Sequence, residues 1–252
     1  MNSGRFGMMS AAALFSALLL ASALVGCAVN PKSTSSDQNG SEPAGDASLP
    51  PRQEAPVGQD LIGKTREGGV VVYVFQPSDD GYDPKTPHGV IAAPEDVNTT
   101  YTDQWNGRQF TGEYVWSTDV YSGEGPDWAW WAIGDTSEAI GRGALNTDSI
   151  LRQYPADTYP NSAAAVARAY RGGGYSDWFL PSMDELRMMY RSKQYLSGLQ
   201  DGAYWTSTEV YDEQQQSGAR VMYFKDEFPI DVEADYEGTK NGTERVRAAR
   251  YF

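Results

Sequence analysis

Residues 172–186, Gly-Gly-Gly-Tyr-Ser-Asp-Trp-Phe-Leu-Pro-Ser-Met-Asp-Glu-Leu, constrain the fold more than any other stretch of the chain. The glycine run closes a preceding helix. Tyr175, Trp178, Phe179 and Leu180 then form a dense apolar knot that has to be buried, and Pro181 stops it. Ser182 precedes Glu185 by three residues, ahead of Leu186, Met189 and Tyr190. Ser-x-x-Glu is a capping box, in which the hydroxyl accepts a free backbone N–H of the first turn and the carboxylate reaches back to the N–H of the cap. One segment therefore ends a helix, plants large rings in the core and starts a second helix. Asp177 sits inside the knot, where it accepts backbone N–H groups or pairs with an arginine such as Arg247; metal binding is the alternative. Asp184 and Glu185 suit the positive end of a helix dipole.

Strand patterns lie on both sides of this segment. Residues 69–75 and 89–93 precede it, and residues 203–208, 219–224, 229–234 and 244–251 follow it. Helices are expected over 148–153, capped by Thr147, over 163–170, opened by Asn161 or Ser162, and over 183–193. Alternation in Arg245-Val-Arg-Ala-Ala-Arg250 predicts a last strand buried on one side and charged on the other. Helices gathered in the middle with strands at both ends make an α+β fold in which the first and last strands pair.

The N-terminus reads as a leader. Arg5 is followed by an apolar run over 11–25, broken only by serines and short for a transmembrane helix. It ends in Leu24-Val25-Gly26-Cys27, which resembles a bacterial lipobox. Residues 1–26 would be a lipoprotein signal peptide, and Cys27 would carry the acyl chains, palmitate among them. An ordinary signal peptide with a chance cysteine is the other reading. More than one acyl chain anchors stably where a single chain does not. The expectation is a lipid-anchored protein of the cell envelope. Ala28, in place of an aspartate, favours the outer membrane in a cell that has one. Cys27 is the only cysteine, so the folded part has neither a disulfide nor a thiol nucleophile. Residues 27–60, rich in Ser, Pro, Gly, Asn and Asp, bury too little apolar surface to fold. As a flexible linker they span about 30 Å root-mean-square, and the folded domain occupies 61–252.

Several blocks occur in a recognisable order. They are Gly68-Gly-Val-Val-Val-Tyr-Val74, Gly89-Val-Ile-Ala-Ala93, Ala139-Ile-Gly-Arg-Gly-Ala-Leu-Asn-Thr147, Gly174-Tyr-Ser-Asp-Trp-Phe-Leu-Pro-Ser-Met-Asp-Glu-Leu186, Tyr204-Trp-Thr-Ser-Thr-Glu209 and Arg245-Val-Arg-Ala-Ala-Arg-Tyr-Phe252. In that order they resemble the Lcl C-terminal domain family, a domain of unknown function named after the collagen-like adhesin of Legionella. The resemblance implies a C-type-lectin-like architecture, related to the formylglycine-generating enzymes: a small twisted antiparallel sheet with a few short helices and long loops. It implies a theme of adhesion and no reaction. Formylglycine-generating chemistry depends on cysteines that this domain lacks. The Glu-Pro-Asn, Gln-Pro-Asp and Trp-Asn-Asp triplets of calcium-dependent lectins do not occur. The family's association with sulfated glycosaminoglycans fits poorly with a net charge of −14. The one dense basic group, Arg245, Arg247 and Arg250 with Lys240, is expected to pair with internal acids. No collagen-like Gly-x-y stretch precedes the domain.

The same acidic excess argues against nucleic acid as a partner. His88 is the only histidine and has no Gly-x-Ser-x-Gly elbow beside it, so it reads as a turn residue rather than a catalytic base. Zinc would need several His or Cys ligands. Asp79, Asp80 and Asp83 lie in a turn off the EF-hand spacing, as turn acids or as calcium ligands. No enzyme, cofactor or metal centre is expected. The best ligand candidates are Trp116, Tyr121, Trp128, Trp130 and Trp131, which crowd a stretch that also holds Gly123, Gly125 and Pro126. Exposed indoles stack on the C–H faces of sugars, with Glu124, Asp127 and Asp135 nearby for hydroxyls; buried, the same rings are core. The function expected is recognition of a glycan or another surface ligand through the loop face. The alternative is a non-catalytic structural or assembly lipoprotein that binds another envelope protein.

Overall fold

The computed structural model describes residues 57–103, 107–117, 132–211, 217–225 and 235–252. Cys27, the leader and most of the expected linker lie outside these. In chain order the strands are β1 (Thr65–Arg66), β2 (Gly69–Val74), β3 (Gly89–Ala92), β4 (Thr100–Thr102), β5 (Gln109–Thr111), β6 (Tyr114–Val115), β7 (Gly202–Tyr211), β8 (Ser217–Phe224), β9 (Asp235–Thr239), β10 (Thr243–Glu244) and β11 (Ala249–Tyr251). The helices are α1 (Gly143–Gln153), α2 (Ala163–Ala169) and α3 (Met183–Arg191). The fold is mixed α+β, with small antiparallel sheets and three short helices. A four-stranded sheet runs β1-β2-β3-β11 and a three-stranded sheet runs β7-β8-β9, while β4 with β5 and β6 with β10 form two-stranded pairs.

Strands β2 and β3 read as near-continuous apolar runs because residues on both faces are buried. Val71, Ile91, Ala203, Trp205 and Val221 face one core with Trp116, Trp178 and the inner residues of α1 and α2. Their neighbours Val72, Val90, Ala92, Tyr204 and Met222 face a second core, with Phe179 and with Met183, Leu186 and Met189 of α3. A register shift between Val71 and Tyr73 inserts Val72 as a bulge opposite β3.

The last stretch of the sequence joins these parts. Arg245 exchanges backbone hydrogen bonds with β7, donating to the Ala203 carbonyl at 3.0 Å and accepting from Trp205 N–H at 2.9 Å. The carbonyls of Val246 and Ala248 accept the N–H groups of Val97 and Ala93 at 2.9 Å. Strand β11 pairs with β3, and Phe179 of the central knot forms a bridge on Ala249. The pairing of the first and last strands expected from the sequence is not found: β11 pairs with β3, the second of the expected strands, and β2 lies on the far side of β3.

The one-sided burial expected of residues 245–250 is not found: Val246, Arg247, Ala248 and Ala249 are all fully buried and Arg250 nearly so. Arginine is tolerated inside because each cation is matched. Arg247 donates through Nε to Asp96 at 2.6 Å and through its other nitrogens to the carbonyls of Ala93 and Ser197. Arg250 takes Asp177 in a two-pronged pair at 2.9 Å and Glu67 at 2.7 Å, and stacks on Tyr175. The partner of Asp177 is therefore Arg250, not Arg247.

Two helix boundaries also differ. Helix α1 begins at Gly143, and Thr147 lies buried within it; its hydroxyl sits 2.8 Å from the Gly143 carbonyl and accepts Leu180 N–H at 3.0 Å, tying the helix to the knot. Helix α2 is capped by Ser162 as expected, but it stops on extended Tyr170 rather than on a left-handed glycine. The run serves a close approach instead: a Cβ on Gly173 would come within 2.4 Å of the Gly68 Cα. The strand expected over 229–234 lies outside the described residues.

The Arg250 pairing fixes a pH dependence. Its guanidinium holds the carboxyls of Asp177 and Glu67 below their ordinary values. A lowered folded-state pKa contributes stability that is complete above the unfolded value, about 4, and is lost as pH falls through the folded value. Asp177→Asn should lower stability at neutral pH and flatten its decline below pH about 4, read from urea unfolding across an acid series.

Candidate functional site

Two clusters place the residues singled out by the sequence. The first is the central motif. Ser182 accepts Glu185 N–H at 3.3 Å and Glu185 Oε2 accepts Ser182 N–H at 2.8 Å, so the capping box is present in full. Glu185 does more than cap. It is fully buried, and its Oε1 accepts Gly141 N–H at 3.0 Å, Gly143 N–H at 3.4 Å and the Tyr251 hydroxyl at 2.6 Å. Burial pushes its carboxyl up, against the pull of these donors. Trp178 is buried, its indole N–H donating to the Gly172 carbonyl at 3.1 Å. The Pro181 carbonyl accepts Ser207 N–H at 2.8 Å and so docks the knot on β7. Asp177, Trp178, Pro181, Ser182 and Glu185 form one connected structural unit.

The second cluster lies where the aromatic stretch leaves and rejoins the described fold. Between Trp205 and Glu209, β7 shifts register against Val221 and Ala219, which loosens Thr206, Ser207 and Thr208 from the ladder. The freed groups bind elsewhere: Trp116 Nε1 donates to the Thr206 carbonyl at 2.7 Å, and Thr208 Oγ1 accepts Met183 N–H at 3.0 Å. Glu209 then receives the returning end of the stretch. Its carboxylate accepts the N–H groups of Ile133 at 2.8 Å and of Gly134 at 2.9 Å. It also pairs with Lys240, whose ammonium lies 4.6 Å from the centroid of the Trp116 ring and whose carbonyl accepts Trp116 N–H at 3.0 Å. Both side chains of this pair are buried, at 0% and 2% exposure. Burial lowers the Lys240 pKa and the Glu209 charge opposes that shift.

Of the aromatic candidates, Trp116 is fully buried and belongs to this floor. Tyr121, Trp128, Trp130 and Trp131 lie outside the described residues. The sequence grouped Lys240 with the arginines, and the structure separates it from them. The signal for Glu209 was its place in the Tyr204–Glu209 block, which named no partner for it.

The remaining chemical candidates are held in structural contacts. His88 Nδ1 lies 3.0 Å from the Phe252 carbonyl oxygen. Asp79 accepts the Tyr73 hydroxyl and the Gln76 N–H, and Asp83 accepts the Lys85 N–H. Among the described residues no group of three or more His, Cys, Asp or Glu is placed to hold a metal ion. No protein-family model matches the chain, and no curated protein matches it.

The buried pair gives a direct test. Lys240→Met leaves Glu209 without its counter-charge and should cost about 3–5 kcal/mol. Adding Glu209→Gln should recover part of that loss, since the two residues are coupled; denaturant unfolding of both variants checks it.

Proposed function

We propose that this chain is a lipid-anchored, non-catalytic protein of the cell envelope that holds a glycan or another surface ligand on its loop face. One observation carries the reading. The stretch containing Tyr121, Trp128, Trp130 and Trp131 leaves from buried Trp116 and Ser117 and returns at Ile133; Trp116 lies against Lys240, just past β9, and Ile133 against Glu209 of β7, and the two are paired. Binding residues are commonly carried by a loop fixed at both ends to a rigid scaffold. Indoles concentrated in the sequence between two such fixed points suit the apolar faces of a sugar.

Other features support the reading. Small antiparallel sheets with long connections are compatible with a C-type-lectin-like architecture, and the ordered blocks resemble the Lcl C-terminal domain family. Among the described residues no helix is long and apolar enough to cross a membrane; in this reading attachment falls to a lipidated Cys27, in the outer membrane where one exists. The acidic excess, a net −14, disfavours nucleic acid and polyanionic glycans. The second reading keeps the anchor and the loop face but gives the surface to another envelope protein.

The test is a glycan array probed with the full chain in detergent, with and without calcium, beside Trp128→Ala/Trp131→Ala. The expected result is binding that tolerates salt and falls about tenfold or more in the double variant, as the loss of ring contacts predicts. A folded chain that binds nothing on the array, yet crosslinks in cells to one envelope protein, would sink the glycan reading in favour of the second.

A further inference from the structure

Two open cavities, of about 530 and 340 Å³, lie side by side, and Glu95, Asp96, Val97 and Asn98 line both. Each is within the usual range for ligand sites. Neither shares a lining residue with the Trp116, Glu209 and Lys240 floor. The ridge between them is fixed from below. Val97 N–H donates to the Val246 carbonyl at 2.9 Å, and Asp96 is held by Arg247 at 2.6 Å and by the Tyr204 hydroxyl at 2.7 Å. The larger cavity has an apolar wall of Pro160, Val166 and Tyr170, and Tyr170 is braced edge-on against Trp178.

Glu95 and Asn98 are exposed, and neither has a hydrogen-bonding partner among the described residues. Asn161 on one side and Gln200 on the other extend the row of planar amides. Charge on the ridge is mixed: Glu95 lines both cavities, Arg171 one and Arg245 the other, Arg245 lies 4.0 Å from Glu113, and Asp96 is paired with Arg247. Arg171 is itself tied to the carbonyls of Arg168 and Tyr170. A polyanion would meet the Glu95 carboxylate at the centre of the ridge. Planar carboxylate and amide groups pair with vicinal hydroxyls, and a tyrosine beside aliphatic side chains takes the C–H face of a pyranose.

We propose that the paired cavities on either side of residues 95–98 form a binding cleft for a neutral oligosaccharide that lies across the ridge. This cleft shares no lining residue with the Trp116, Glu209 and Lys240 floor and adds a second contact surface to the molecule. Glu95 supplies a charge-assisted acceptor, Asn98 donates and accepts at the crest, and Tyr170 stacks one ring.

The experiment titrates the full chain in detergent with neutral tetrasaccharides (β-linked glucose, β-linked N-acetylglucosamine and α-linked glucose) and with a heparin-derived tetrasaccharide. Variants are Glu95→Ala, Asn98→Ala and Trp128→Ala/Trp131→Ala, each checked for an unchanged unfolding temperature. The expected result is calorimetric binding of a neutral tetrasaccharide, weakened about tenfold by Glu95→Ala and by Asn98→Ala, insensitive to salt and retained in the double tryptophan variant. Loss in the tryptophan variant alone would overturn the cleft while supporting the loop. Preference for the heparin fragment, binding of extended peptides in place of saccharides, or no binding by a folded chain would each overturn the proposal.

Discussion

A single buried carboxyl holds the middle of this molecule together. Glu185 has no exposure to water, so each of its oxygens needs a donor from the protein, and the donors come from three separated stretches: the α3 cap at Ser182, the approach to α1 at Gly141 and Gly143, and Tyr251 in β11. An unpaired carboxylate in such a place would cost several kcal/mol. The cap of one helix, the start of another and the last strand are thus set by the same group. Gly143 is part of the arrangement, since a side chain there would collide with Glu185 and Phe179.

What was legible in the sequence follows the range of each interaction. The capping box spans three residues, and Ser182 and Glu185 could be paired from their spacing alone. The Ser162 cap of α2 was equally local. The partner of Asp177 lies 73 residues away, and the sequence yielded the type of partner but chose Arg247 instead of Arg250. The pattern of the last segment misled for a different reason. Alternation reports a strand with one wet face, and residues 246–249 have none. Thr147 read as a cap because threonine commonly caps, whereas here a tertiary contact to Leu180 explains it. The Glu209–Lys240 pair, separated by 31 residues and masked by neighbouring arginines, could not be assembled from spacing.

The inward placement of basic side chains shapes the outside as well. Lys240, Arg247 and Arg250 are all at 7% side-chain exposure or less, while Asp177 and Glu67 of the Arg250 cluster remain 59% and 30% exposed. The acids therefore contribute more than the bases to the field seen by an approaching ligand. Such a surface selects against polyanions at the encounter step, before any contact is made.

The segment from Arg245 to Tyr251 has a consequence for the order of synthesis. Strand β3, strand β7, the Ala93–Val97 backbone and Phe179 all find a partner in it. Every one of those elements leaves the ribosome earlier and waits with an open edge. Local helices can form meanwhile, but neither core closes until the last residues of the domain arrive. Pairing over such separations makes closure slow compared with helix formation, and it makes the arrival of residues 245–251 the event that commits the domain to its native state.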